Sequence, residues 1–147
     1  MENTKANWTL TQIGVVVSDV EKTIDRLSLL GIGPFNRLNL PPDRIEYFRG
    51  KEMAAEFDIR NTMLGNVQLE LIEPLKGDSP HMEFLRTKGE GIQHVMYLVD
   101  DLSETVNALT AKGVEILLDA RSPEGKGIVY VDLGAANIVF EIGEKPK

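Results

Sequence analysis

The apolar positions of this chain form a pattern that occurs twice. Residues 12–31 (QIGVVVSDVEKTIDRLSLLG) lie over residues 94–113 (HVMYLVDDLSETVNALTAKG) at an offset of 82 without a gap. Val17/Val99, Asp19/Asp101, Thr23/Thr105, Leu27/Leu109 and Gly31/Gly113 are identical pairs. The apolar register matters more than these identities. Each copy opens with alternating apolar residues, the mark of a strand with one covered face. Each then shows an i, i+4, i+7 stripe, Val20, Ile24 and Leu27 in the first and Leu102, Val106 and Leu109 in the second, which predicts an amphipathic helix. Ser18 with Glu21, and Asp101 with Glu104, fit a capping box at the helix start. Gly31 and Gly113 stand where a glycine ends a helix.

The second half of each unit repeats as well. Residues 67–72 (VQLELI) lie over 138–143 (IVFEIG) at an offset of 71, so the first copy carries 82 − 71 = 11 extra residues before this strand. The place for them is 40–51 (LPPDRIEYFRGK), where Pro41-Pro42 interrupts regular structure. Gly65-Asn66 and residues 134–137 supply hairpin turns ahead of the two strands. The expected class is α+β, built as two tandem βαβββ modules: module 1 over about residues 8–75 and module 2 over about 91–144. A linker helix within 78–90 begins at Ser79-Pro80 and ends at Gly89.

Alternation then sorts the strand residues by face. Val67, Leu69 and Leu71 oppose Gln68, Glu70 and Ile72. Ile138, Phe140 and Ile142 oppose Val139 and Glu141. Ile13, Val15 and Val17 oppose Gln12, Gly14 and Val16, and Val95, Tyr97 and Val99 oppose His94, Met96 and Leu98. Gln12, Glu70, His94 and Glu141 therefore share the face turned away from the helices, and the repeat maps Gln12 onto His94 and Glu70 onto Glu141. Taken singly, each reads as a rim residue or a satisfied core residue. Together, two carboxylates, an imidazole and an amide inside a sheet need a partner, because buried charges are paired or hold a metal. Oxygen plus one nitrogen, without sulfur, suits Zn²⁺, Ni²⁺, Co²⁺, Mn²⁺ or Fe²⁺.

Composition narrows the partners. The 147 residues amount to one domain, 1–147, and 16 Lys and Arg against 23 Asp and Glu give a net charge of −7. So acidic a chain lacks the clustered cations that bind a nucleic acid. No apolar run approaches the roughly 20 residues of a membrane span, and the first ten residues, MENTKANWTL, show no signal-peptide core. The absence of cysteine removes disulfides, thiolate ligands and a thiol nucleophile. The expectation is a cytoplasmic chain acting on a small molecule, with no membrane and no nucleic-acid partner.

The segments 12–24 (QIGVVVSDVEKTI), 64–75 (LGNVQLELIEPL), 78–102 (DSPHMEFLRTKGEGIQHVMYLVDDL), the helix up to Lys112-Gly113, and 138–142 (IVFEI) cover more than half the chain. In them the chain resembles the vicinal-oxygen-chelate superfamily (glyoxalase/bleomycin resistance/dioxygenase), and within it methylmalonyl-CoA epimerases most. The resemblance implies a cupped mixed sheet with helices outside, holding one divalent metal (Zn, Ni, Co or Mn) on Gln12, Glu70, His94 and Glu141. It implies removal of a proton beside a carbonyl, with Glu141 as the base and Glu70 as the facing candidate. It further implies a homodimer and a small carbonyl substrate, a CoA or other thioester among them. Phe48, Arg60, Met96 and Lys126 are the candidate substrate contacts.

Two departures bear on the subclass. Epimerases and ring-cleaving dioxygenases have His where this chain has Gln12, and the Gln/Glu/His/Glu set is similar to that of eukaryotic lactoylglutathione lyases. The epimerases' second base, on the strand before the hairpin, falls by counting near Ala54, which Glu52 and Glu56 flank out of register. Three functions follow: a metal-dependent isomerase, epimerase or lyase; a metal-free protein that sequesters a small molecule; and, least favoured by Gln12, an Fe²⁺ dioxygenase. Residues 40–51 are expected as a lid over the cup or as an ordinary surface loop.

Overall fold

A computed structural model describes residues 8–147. Module 1 runs β1 (Thr9–Val16), α1 (Val20–Ser28), β2 (Asn36–Leu38), then a short hairpin β3 (Tyr47–Phe48) and β4 (Lys51–Glu52), then β5 (Glu56–Leu64) and β6 (Val67–Lys76). The helix α2 (Pro80–Lys88) leads to module 2: β7 (Gly91–Val99), α3 (Leu102–Ala111), β8 (Glu115–Asp119), β9 (Ile128–Asp132) and β10 (Val139–Glu144). All ten strands join one mixed sheet in the order β2-β5-β6-β1-β7-β10-β9-β8-β3-β4.

The duplication is written into the strand register. Parallel β1 and β6 align Gln12 with Gln68 and Gly14 with Glu70. Parallel β7 and β10 align His94 with Val139 and Met96 with Glu141, the same pairs moved by the two repeat offsets. At the centre, antiparallel β1 and β7 set Gln12 opposite Met96 and Gly14 opposite His94, so an approximate twofold relates the halves.

The outer helices cover their own modules with repeat-related residues. Val20, Ile24 and Leu27 of α1 pack on Val17, Leu69 and Leu71. Leu102, Val106 and Leu109 of α3 pack on Val99, Phe140 and Ile142. Burying a side chain such as Leu102 from water contributes about 1.5–3 kcal/mol, so each stripe secures its helix. The first helix start differs from the expectation: Asp19, not Ser18, caps α1 by accepting from the Lys22 backbone N–H, as Asp101 does from Glu104 at α3. Ser18 is engaged elsewhere, donating its backbone N–H and hydroxyl to Glu90. Gly31 and Gly113 follow the two helices with φ of 75° and 83°, a region disfavoured for side-chain-bearing residues.

Two segments depart from the repeat, and both shape the concave face. The extra residues after β2 leave one edge of the sheet, cross to the other, and pair there, Tyr47 with Asp119 and Phe48 with Leu118 of β8. This strap is tied down by Arg44, which donates to Glu46, to the Pro41 carbonyl and to the Ala55 carbonyl. The linking helix α2, capped by Ser79 as expected, does not lie outside with α1 and α3. Its His81 is buried against Tyr130 and Phe57, both on the concave side. No helix among the described residues is long and apolar enough to cross a membrane.

Candidate functional site

Gln12, Glu70, His94 and Glu141 meet at the middle of the concave face, on the four central strands, and each is less than a tenth exposed. Parallel pairing within each module brings the carboxylate strand beside the strand that carries His94 or Gln12. The antiparallel pairing of β1 with β7 then brings the two halves together. His94 lies over Gly14, where even a methyl group would fall within its ring. Gln12, its repeat partner, stands instead beside Met96.

The donors close on the imidazole. His94 Nδ1 lies 2.6 Å from Gln93 Oε1, so Nδ1 carries the proton and donates. The other nitrogen, Nε2, then faces oxygen on every side: Gln12 Oε1 at 2.9 Å, Glu141 Oε2 at 3.1 Å and Glu70 Oε1 at 3.7 Å. Gln12 turns its amide outward to donate to Gln68 Oε1 at 2.7 Å and Glu70 Oε2 at 3.1 Å. Glu141 Oε2 is buried without a hydrogen bond of good geometry, despite its nearness to the ring.

Such a cluster holds protons. Burial first, and then the charge of Glu141, push the Glu70 carboxyl up to about 7, against the opposing pull of His94 and the Gln12 amide. Burial works against a charged His94, but the carboxylates of Glu141, 3.1 Å from Nε2, and of Glu70 outweigh it and raise its pKa. The two groups titrate as a coupled set.

The same residues suit a divalent ion. Among the described residues no three His, Asp or Glu side chains are spread out as a ready coordination sphere, because the donors lean on one another. Yet the oxygens around Nε2, at 2.9–3.7 Å, lie near the roughly 3.0–3.6 Å that separates neighbouring ligands around an ion bound at about 2.0–2.2 Å. A neutral Nε2 lone pair facing three oxygens is repulsive unless a cation, proton or metal, sits among them. The Nδ1–Gln93 bond also fixes the ring as a metal-bound histidine requires.

The concave wall carries more polar chemistry than sequence reasoning found. Tyr130 of β9 lies directly across from Glu141, and its ring is 5.2 Å from that of His94. His81 Nε2 is 3.0 Å from the Tyr130 hydroxyl. Burial first, then the charges of Glu141, Glu70 and Glu46, hold the Tyr130 hydroxyl well above the usual phenol range. Burial, with His94 nearby, pushes His81 down to about 3, so it is neutral. Alternation along residues 128–132 would have placed Tyr130 on Glu141's face. Nothing in the pattern of α2 marks His81 as pointing inward.

The candidate substrate contacts divide. Met96 shares the donors' face, and Phe48 lines a cavity of about 690 Å³ between the β3–β4 hairpin and α2. Arg60 does not reach the site: it is paired with Leu71 on the helix-covered face and held by Asp58 and Glu21. Lys126 is likewise outside, bonded to Glu144, which accepts from the first backbone N–H of α3. Both corrections have one cause, since their acidic neighbours hold them on the convex side. Glu52 and Glu56 are exposed. The half-buried carboxylate of the strap is Glu46, across the hairpin from Met53, whose N–H donates to the Glu46 carbonyl at 2.7 Å.

Comparisons with known proteins agree with this architecture. A hypothetical protein from Bacillus halodurans has the same fold, with a TM-score of 0.70 at 21% identity, covering 96% of each chain. Methylmalonyl-CoA epimerase from Mycobacterium tuberculosis superposes with a TM-score of 0.65 at 21% identity, over 93% of this chain and 88% of that one. By sequence, an uncharacterized Bacillus subtilis protein is 41% identical over 78 residues, 52% of this chain and 56% of its own. Mouse mitochondrial methylmalonyl-CoA epimerase is 37% identical over 84 residues, 53% of this chain and 47% of its own. The matches thus span about half the length of these curated relatives. The family model of the glyoxalase/bleomycin resistance protein/dioxygenase superfamily matches residues 11–131, from β1 into β9, and the chain belongs to that superfamily.

Proposed function

We propose that this protein is a divalent-metal-dependent epimerase or isomerase that moves a proton on the carbon beside a carbonyl, with a CoA thioester as substrate. The observation that carries this reading is the convergence of Gln12, Glu70 and Glu141 oxygens on His94 Nε2, the ring nitrogen left for an ion once Nδ1 donates to Gln93. These four side chains would hold the ion. A bound divalent ion supplies Lewis acidity, stabilising negative charge as it develops on a carbonyl oxygen.

The chain's own residues provide the rest. Glu141 Oε2 is buried and free of a committed hydrogen bond, so it is placed to accept the proton from carbon. Glu70, whose carboxyl burial pushes up to about 7 without an ion, would give up that proton as the ion binds and then faces Glu141 as the second carboxylate. Exchange on two faces needs a second carboxylate outside the four donors, and we assign that role to half-buried Glu46 of the strap, which Arg44 holds in place. The cavity of about 690 Å³ between the β3–β4 hairpin and α2 is lined by none of the four donors, but its volume falls within the usual range of small-ligand pockets. Arg49, Lys51 and Arg86 line it together with Glu52, Asp78 and Glu83, Arg49 being paired with Glu83, and these cations are the ones we assign to the anionic tail of a thioester. Support for that substrate comes from an epimerase of this fold, whose structure is a complex with methylmalonyl-CoA.

Elemental analysis of wild type beside Glu141→Ala, followed by methylmalonyl-CoA in deuterated water, tests the reading. The expected result is about one divalent ion per chain, lost or strongly reduced in the variant. Deuterium should enter the carbon beside the thioester carbonyl at a rate at least about 100-fold lower in the variant. Ligand binding without metal uptake would instead identify a sequestering protein.

A further inference from the structure

Among the described residues, three buried side-chain polar atoms lack hydrogen-bond partners: Asn61 Oδ1, His81 Nδ1 and Glu141 Oε2. All three belong to the concave wall. Asn61 pairs with Glu70 across β5 and β6 and so shares its face. His81 touches Tyr130, which shares the face of Glu141. Orphaned buried groups are uncommon because each costs about 1–3 kcal/mol. A cluster of them beside a candidate centre points to a ligand that completes it.

The His81–Tyr130 pair can be counted proton by proton. A neutral imidazole carries one N–H and one lone pair, and a protonated phenol carries one O–H. Both side chains are buried, at 5% and 4% exposure, which favours these uncharged forms. If the Tyr130 hydroxyl donates to Nε2, the imidazole proton sits on Nδ1 and has no acceptor. If Nε2–H donates to the hydroxyl oxygen, the phenol proton is left over, and Nδ1 is a bare acceptor. In either arrangement the pair retains one unused donor, within a wall otherwise rich in acceptors.

We propose that the His81–Tyr130 pair is a second oxygen-binding point of the cup, giving its spare hydrogen bond to an oxygen of the substrate beside the Gln12/Glu70/His94/Glu141 cluster. The matching ligand is planar with two oxygens, a carbonyl or carboxylate together with the developing enolate. One oxygen faces the four donors and the other takes the proton of the pair. Geometry supports this placement, since the ring centroids of His81 and Tyr130 lie 6.3 Å and 5.2 Å from that of His94. Phe57 packs against His81 in a T-shaped contact, 5.1 Å between centroids. The competing occupant is an ordered water, which would satisfy the same atoms without selecting any substrate.

This inference rests on the reading of the cup as a metal-dependent carbonyl site, and the test separates the two. Oxalate, a planar two-oxygen anion, is titrated into zinc-loaded wild type and into zinc-loaded His81→Leu/Tyr130→Phe. The expected result is an unchanged zinc stoichiometry with oxalate affinity at least fivefold weaker in the double variant. A change smaller than fivefold with zinc intact overturns the inference and leaves the proposed function standing. Failure of wild type to take up zinc or another divalent ion overturns both. Should the double variant not fold, proton and nitrogen NMR of wild type decides. Oxalate should shift the signal of the spare His81 Nδ1–H or Tyr130 O–H, and a signal unmoved on binding overturns the inference.

Discussion

The two modules are built alike and used differently. Residues related by the repeat make both outer cores, and equivalent strand pairs carry both halves of the donor cluster. At the central crossing the symmetry is broken in chemistry but kept in geometry. Module 2 puts a ring, His94, over the bare backbone of Gly14, and module 1 puts an amide, Gln12, beside the long side chain of Met96. The His94 ring can lie directly over the facing backbone because Gly14 has no Cβ. Module 1 spends its extra residues on a strap that crosses to the far edge of module 2. Duplication thus supplies the frame, and single-residue differences within it decide which half binds through nitrogen and which end is covered.

Gly14→Val tests that asymmetry most severely. Its side chain would occupy the space of the His94 ring, which Gln93 and the surrounding burial prevent from moving aside. Divalent metal uptake should be abolished and stability reduced by about 1–3 kcal/mol, read by elemental analysis and denaturant melts. An unaffected metal content would show that the ring has another place to go. Met96→Val, the symmetry-related change, should leave metal stoichiometry intact in the same assay.

A smaller effect, confined to a pH window, is expected at Glu70. Its folded carboxyl sits near 7, above the ordinary 4.5, so the folded state keeps a proton that the unfolded chain has already released. Stability of the metal-free protein therefore falls as pH rises from 4.5 through 7, and the full penalty is present above that. His94, also raised, loses its contribution in the same direction. Glu70→Gln should stabilise the metal-free protein by up to about 3 kcal/mol at pH 8 and negligibly at pH 4. Melts at the two pH values check this, and a gain at pH 4 equal to that at pH 8 would contradict it. Zinc should reverse the trend, stabilising wild type more as pH rises, because metal and protons compete for the same donors.

The mildest change is Gln12→His, which replaces an oxygen donor by a second nitrogen. Stoichiometric uptake should persist, with affinity changed by less than about tenfold and preference moved toward ions that favour imidazole. Competition between Zn²⁺ and Mn²⁺ reads this directly. Loss of uptake would mean that the half facing Met96 has no room for a ring.

Much of the frame is legible in the chain because it is periodic. Strand alternation, helix stripes and the glycines after α1 and α3 are local signals, and they place Gln12, Glu70, His94 and Glu141 on one face before any contact is known. The helix cap at Asp19 rather than Ser18 is a local ambiguity, since either residue can accept from the first turn. Arg60 and Lys126 mislead for another reason. Nothing in one strand or loop shows that Asp58 with Glu21, or Glu144, will hold a cation on the convex side. Tyr130 lies one alternation step from recognition, whereas His81 depends on how α2 crosses the concave face.

By itself, then, the sequence determined the two modules, their helices and the shared face of four ligand-type residues, because each follows from spacing along the chain. Tertiary structure alone decided that the strap reaches β8, that α2 turns His81 inward onto Tyr130, and that the oxygens close on His94 Nε2. Those contacts join residues 24 to 82 positions apart. What selects them is the burial of apolar surface across the whole sheet, a quantity that no local pattern contains.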